Sequence, residues 1–188
     1  MTNKQQSLID DFLNVLSEDD RYDFENVINS IVELGYIPQK QKVRDFVLSF
    51  KHNQNGKIIA KVGIRKQKGF LSIKFFACKN VPEKYIKSLR NEADLNEERA
   101  KNNEKPVSSG PVPDRNPIPS NTIMKNCTVG VCSVCTGGRM RYYYQYPDGK
   151  EIFRCGAYPV LLPDIAENDI EDIKRLISEQ HNYFLSIV

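Results

Sequence analysis

Four cysteines in the C-terminal third of the chain restrict its fold more than any other feature, because their sulfurs are expected to meet. They have the spacing C-x4-C-x2-C-x19-C and are Cys127, Cys132, Cys135 and Cys155. Strand-forming residues run from Arg139 to Tyr146, Pro147-Asp148-Gly149 is a turn signal, and residues 150–162 return as a second strand. The glycines at 137 and 138 let the chain fold back before this hairpin. The sequence therefore predicts one site built around the hairpin.

The position of the turn predicts the register of the hairpin. Pro147 lies nearer in sequence to Cys155 than to Cys135. We therefore expect Cys155 partway along the hairpin, level with about Arg139 to Arg141.

The compartment follows from the lack of any targeting or membrane signal. Mean hydropathy is −0.50, and no apolar run approaches the roughly 18 residues that span a bilayer. The start of the chain has no apolar signal core. We expect a cytoplasmic protein without a membrane partner, in which cysteines stay reduced and more often hold metal than form disulfides.

Zinc is the interpretation that the cysteine spacing favours. Four thiolates bind zinc tetrahedrally, and a C-x2-C pair such as Cys132 and Cys135 is the usual half-site. The predicted role is structural, since such a site would tie the proline-rich connector at 101–122 to the terminal hairpin. An interpretation without metal also stays open, in which the cysteines are free thiols or the Cys132–Cys135 pair cycles between dithiol and disulfide.

The alternative metal group is an iron–sulfur cluster. Cys127-Thr-Val-Gly-Val-Cys132-Ser-Val-Cys135, followed by a single later cysteine, is similar to the cluster loop of plant-type ferredoxins. This resemblance implies a [2Fe–2S] cluster held by Cys127, Cys132, Cys135 and Cys155. It also implies a role in electron transfer or redox sensing.

The whole chain resembles an uncharacterised cysteine-containing α+β family of Firmicutes bacteria. The resemblance is carried by Gly35-Tyr-Ile-Pro38, Lys74-Phe-Phe-Ala-Cys78, Tyr146-Pro-Asp-Gly-Lys150, Phe153-Arg-Cys-Gly156 and Gln180-His-Asn-Tyr-Phe184. It implies a bacterial, cytoplasmic setting and no particular activity.

The hairpin also carries candidate contacts to a ligand. Arg139, Arg141, Tyr143 and Arg154 place cations beside an aromatic ring, a mixture that stacks single-stranded nucleic acid or holds a small ligand. The abundance of aromatic residues in strands favours tyrosine pairing across the hairpin instead.

An enzyme is not indicated. The chain has no phosphate-binding loop, zinc-protease or nucleophile-elbow motif. Its two histidines are His52, which borders a turn and is expected in solvent, and His181, which is expected on a helix surface. No catalytic residue is therefore predicted.

The fold class is α+β, with an antiparallel sheet made of a three-strand meander plus the C-terminal hairpin and with helices packed on one side. Four helices are predicted. The first covers 3–16, the second follows an N-cap at Ser17, the third has Pro82 as its first residue, and the fourth begins near Asn168. The meander strands are 43–51, 57–66 and 70–78, with a turn at Lys68-Gly69. The expected organisation is 1–100, a proline-rich connector at 101–122, and 123–188, with the first and last parts packed together.

Two features of the meander have structural interpretations. Cys78, at the end of the third strand, is predicted to be a small buried side chain rather than a metal ligand. The cations Lys57, Lys61, Arg65, Lys66, Lys68 and Lys74 either form a basic face or, as we expect, a solvated face that resists aggregation.

Overall fold

A computed structural model describes residues 1–91, 141–145, 149 and 151–187, with the side chains of this set apart from 141, 143–145 and 151–155. The helices are α1 Asn3–Leu13, α2 Glu18–Glu33, α3 at 83–91 and α4 Ile170–Ser186, with a short 3-10 helix, Glu167–Asp169, before α4. The strands are β1 Tyr36–Lys40, β2 Val47–His52, β3 Ile58–Arg65, β4 Lys68–Ile73, β5 Arg141–Gln145, β6 Glu151–Cys155 and β7 Val160–Leu161. No helix in these ranges has the length and apolar character needed to cross a bilayer.

Polar caps set where the first two helices begin. Thr2 and Gln5 form a capping box that starts α1, and the Ser17 side chain accepts a hydrogen bond from the Asp20 amide at the start of α2. The predicted Ser17 cap is confirmed. α1 ends at Leu13 and not at residue 16, so that residues 14–17 make the connection to α2.

The start of α4 differs from the prediction. α4 begins at Ile170 rather than near Asn168, and Asn168 does not cap it. Instead the Asp169 carboxylate accepts a hydrogen bond from the Ala166 amide at 3.0 Å and pairs with Lys84 of α3. Asp169 is buried, so this pair fixes α3 against the beginning of α4.

The strands form two antiparallel sheets, and the predicted α+β class is confirmed. The main sheet has the order β1-β2-β3-β4-β7, and β5 pairs with β6 alone. β1 was not predicted. The expected return strand over 150–162 is two strands, of which β7 pairs with β4 and joins the main sheet.

The β3–β4 turn lies two residues before its predicted place. Lys66 and Gln67, not Lys68 and Gly69, adopt the positive φ angles of 50° and 64° that a tight hairpin requires. β4 also ends earlier than predicted, at Ile73. Cys78 therefore lies beyond the strand, in the segment that leads to α3.

One face of the main sheet carries the hydrophobic core. Leu48, Phe50, Val62, Leu71 and Ile73 are buried there, and cross-strand pairing sets them side by side. A Cβ atom added to Gly69 of the same face would come within 2.9 Å of Leu16 and Phe24. The N-terminal helices thus cover this face, and α4 reaches it next to β1 and β2.

Candidate functional site

The predicted cysteine site is described only at its last member. Cys127, Cys132, Cys135 and the candidate contact Arg139 lie outside the described residues. Cys155 ends β6, and its backbone pairs with Arg141 at the start of β5. This register agrees with the predicted one. Within the described ranges, no group of three or more His, Cys, Asp or Glu side chains is placed to hold a metal ion.

Tyr142 fixes the hairpin to the core. Its side chain is 2% exposed, and its ring packs edge-on against Phe75 and Phe76, with ring centroids 5.1 and 5.7 Å away. Its hydroxyl donates a hydrogen bond to the Tyr158 carbonyl oxygen at 3.4 Å. The strand that follows the cysteine loop in sequence is thereby held against the body of the protein.

The register divides the candidate hairpin contacts between two positions of the ladder. Arg154 pairs with Tyr142, whereas Arg141 pairs with Cys155 and Tyr143 with Phe153. Since cross-strand partners share a face of a sheet, Arg154 has a different register position from Arg141 and Tyr143. The Tyr143–Phe153 pair has the composition expected for aromatic pairing across a hairpin, and nucleic-acid contact by these residues stays a prediction.

Cys78 is held as a protonated thiol. Its Sγ atom donates a hydrogen bond to the Leu176 carbonyl oxygen at 3.1 Å. Burial, together with the nearby Glu179 carboxylate, raises the pKa of the Cys78 thiol to about 12. A thiol of this kind is a poor nucleophile and a poor metal ligand at neutral pH, which matches the structural role predicted for it.

The segment around Cys78 is clamped by α4. The Arg175 guanidinium donates hydrogen bonds to the carbonyl oxygens of Lys79 and Asn80, at 3.1 and 3.0 Å. The Glu179 carboxylate accepts one from the Lys79 amide at 2.8 Å. Cys78 and Asn80 of this segment line an open cavity of about 330 Å³, together with Ile86 and Leu89 of α3 and with Tyr142.

We expect replacement of Arg175 by alanine to lower the free energy of unfolding by about 1–2 kcal/mol, because two carbonyl groups lose a charged donor. Lys174→Ala is the matched control. Lys174 makes an ion pair only with the exposed Glu171, so its loss is expected to stay within about 0.5 kcal/mol. Urea denaturation measures both values, and equal effects would show that the clamp contributes nothing.

A buried pair of histidines was missed by the sequence predictions. His52 is 6% exposed and His181 is 8% exposed, so neither lies in solvent or on a helix surface as expected. Their ring centroids are 5.6 Å apart, and both rings pack edge-on against Tyr36. The three side chains close the edge of the core where β1 and β2 meet α4.

Hydrogen bonds define the protonation of this cluster. His52 Nδ1 accepts from the backbone amides of Gln54 and Asn55, at 3.4 Å each, so its proton belongs on Nε2. His181 Nδ1 lies 3.3 Å from the Tyr36 hydroxyl. Burial and the neighbouring His52 lower the pKa of His181 below its ordinary value of 6.5.

The hydrophobic periodicity of the strand and the helix predicts that both histidines are buried. His52 has the same strand phase as Leu48 and Phe50, two residues of the core face. His181 continues the stripe of Ile173 and Ile177 at a spacing of four residues. Judged by phase rather than by residue type, both positions belong to the core.

Known proteins offer no guide to the role of these residues. No family model, curated protein or solved structure matches this chain.

Proposed function

We propose that Cys127, Cys132, Cys135 and Cys155 bind one zinc ion whose role is structural. The observation that supports this most is the cysteine spacing combined with the hairpin register. Arg141 pairs with Cys155 and follows Cys135 by six residues, so the chain between them is short. A chain of that length, containing two glycines, can return Cys135 to the level of Cys155.

The anchor at Tyr142 supports a structural role. Because β5 is fixed to the core by a buried side chain, an ion bound to Cys155 would be attached to the folded body rather than to a free hairpin. Zinc bound there would connect the cysteine loop to that body. Thiolate coordination contributes folding free energy directly, which suits a segment with few apolar residues of its own.

The proposal requires a compartment that keeps the four cysteines reduced. We therefore propose the bacterial cytoplasm as the place where the protein acts, since structural zinc–thiolate sites need free thiolates and disulfides are rare there. Isolation under anaerobic conditions is the matching experimental condition.

Metal analysis of anaerobically purified full-length protein tests the site. We expect about one zinc ion per chain, and we expect Cys155→Ser to lose most of it because one of four ligands is removed. Cys78→Ser is the matched control and should keep the full zinc content, since the Cys78 thiol is protonated and donates a hydrogen bond to the Leu176 carbonyl oxygen.

Other metal contents would contradict the proposal in defined ways. A brown protein containing iron and sulfide would support the ferredoxin-like cluster. Metal-free protein with reactive thiols at all four positions would support the redox interpretation. Equal zinc loss from Cys155→Ser and Cys78→Ser would show that neither position is specific.

A further inference from the structure

One long segment of the chain contains basic residues and no acidic ones. Residues 46–82, which include β2, β3 and β4, contain eight lysines or arginines and no aspartate or glutamate. Asp45 and Glu83 lie immediately outside this segment. The middle strands of the sheet are therefore purely basic, although the whole chain has a net charge of only +3.

Strand register gathers part of this charge on one surface. Ser49, Lys61 and Ser72 are cross-strand neighbours, and Arg65 pairs with Lys68. These positions alternate with the core residues, so they belong to the other face of the strand ladder. The middle of that face is covered, since Ser49 and Ser72 are 0% exposed, whereas Arg65 and Lys68 are exposed at the end of the β3–β4 hairpin, where they line an open cavity together with Asp20 and Asp23 of α2. Lys51 has the same phase in β2. We call the surface formed by Lys51, Lys61, Arg65 and Lys68, with Phe70 among them, the basic sheet face.

The cations of the basic sheet face have no ion-pair partner among the described residues. In the parts of the chain that the structure describes, none of the four lies within ion-pair distance of a carboxylate. Lys61 is half-buried, and burial alone lowers its pKa. A partly desolvated ammonium with no carboxylate partner is costly, and a bound anion would offset that cost.

An aromatic ring lies beside these cations. The Phe70 ring lies over Gly63, where an added Cβ atom would come within 2.6 Å of it. The Arg65 guanidinium is 5.3 Å from the centroid of that ring. Arginine on an aromatic ring is a platform on which nucleobases stack.

We propose that the basic sheet face binds single-stranded nucleic acid, with its cations on the phosphates and the Arg65–Phe70 pair beside the bases. Charge complementarity with a polyanion selects this class of partner. A membrane surface fits less well, because none of the strongly exposed large apolar side chains of the described residues lies on this face. The proposal is independent of the zinc site.

Fluorescence anisotropy with a labelled oligothymidylate of about twenty nucleotides tests the proposal on the full-length chain. The double variant Arg65→Gln/Lys68→Gln removes two exposed cations of the basic sheet face. We expect its affinity at low salt to fall about tenfold. The slope of log affinity against log salt should become shallower by about 1.4, because each of the two lost phosphate contacts accounts for roughly 0.7.

The matched control is Lys4→Gln/Lys87→Gln, which removes the same charge from exposed positions on helices α1 and α3. We expect it to keep the wild-type slope. The single variants Arg65→Gln and Lys68→Gln should each show about half of the slope change, which makes the result independent of whether the double variant folds well. Circular dichroism of each variant checks the fold.

Three results would overturn the proposal. One is a wild-type protein that does not bind the oligonucleotide even at low salt. Another is an equal loss of affinity in the two double variants, which would reflect net charge alone. The third is binding to vesicles rich in anionic lipid without binding to the oligonucleotide, which would assign the face to a membrane.

Discussion

Tyr142→Ala is expected to lower the free energy of unfolding by about 3–5 kcal/mol, the range for truncating a large buried aromatic side chain. The ring of Tyr142 is almost fully buried and packs edge-on against Phe75 and Phe76, so its loss would leave a cavity between β5 and the core. The measurement is urea denaturation followed by circular dichroism.

Tyr22→Ala is the matched control for Tyr142→Ala. Tyr22 is 62% exposed on α2, so its loss should change stability by no more than about 0.5 kcal/mol. Tyr142→Phe keeps the ring and removes the hydroxyl that donates a hydrogen bond to the Tyr158 carbonyl oxygen, which costs about 0.5–1.5 kcal/mol. If Tyr142→Ala were as mild as Tyr22→Ala, the hairpin would not depend on this anchor.

Local signals with one physical meaning were predictable from the sequence. Ser17 caps α2 because its hydroxyl satisfies a free amide, and the apolar stripes of α2 and α4 are buried as their spacing indicates. The hairpin register at Cys155 followed from the position of the Pro147-Asp148-Gly149 turn. In each of these cases, neighbouring residues alone determine the outcome.

Elements that depend on distant contacts were not predictable in the same way. Gly35 and Pro38 indicate the end of a helix, yet Pro38 lies inside β1. A proline is compatible with this strand because β1 is the edge of the sheet, where one side needs no hydrogen-bond donor. The edge position of β1 exists only once β2, β3 and β4 have assembled.

The candidate sites show the same division. Cysteine spacing suggests a metal site directly, and that site stays a prediction at all four cysteines. The histidine cluster needs the pairing of β1 with β2 and the approach of α4, neither of which residue type reveals. The sequence shows the positive charge of the strands, but it does not show which face of the sheet carries that charge.

Acid is expected to destabilise the protein through His181. The pKa of His181 is lowered in the folded state from its ordinary value of 6.5, because burial and the neighbouring His52 disfavour its charged form. Between those two pKa values the unfolded state binds more protons, so stability present above pH 6.5 is lost as the pH falls toward the folded pKa. One such proton gives a slope of up to about 1.4 kcal/mol per pH unit.

The packing around His181 offers nothing to compensate its protonation. Tyr36 from β1 and His52 from β2 face its ring, and no carboxylate lies within ion-pair distance of it in the described ranges. Protonation of His181 would place a cation beside a second imidazole in a buried site.

His181→Phe should flatten the dependence of stability on pH between 6.5 and the folded pKa, because it keeps an aromatic ring in the site and removes the titrating group. The wild-type and variant proteins share all carboxylates, so acid titration of those groups cancels in the comparison. Urea denaturation at a series of pH values gives both curves. If the two curves stay parallel, whatever stability the substitution costs at neutral pH, the loss of stability in acid does not arise from His181.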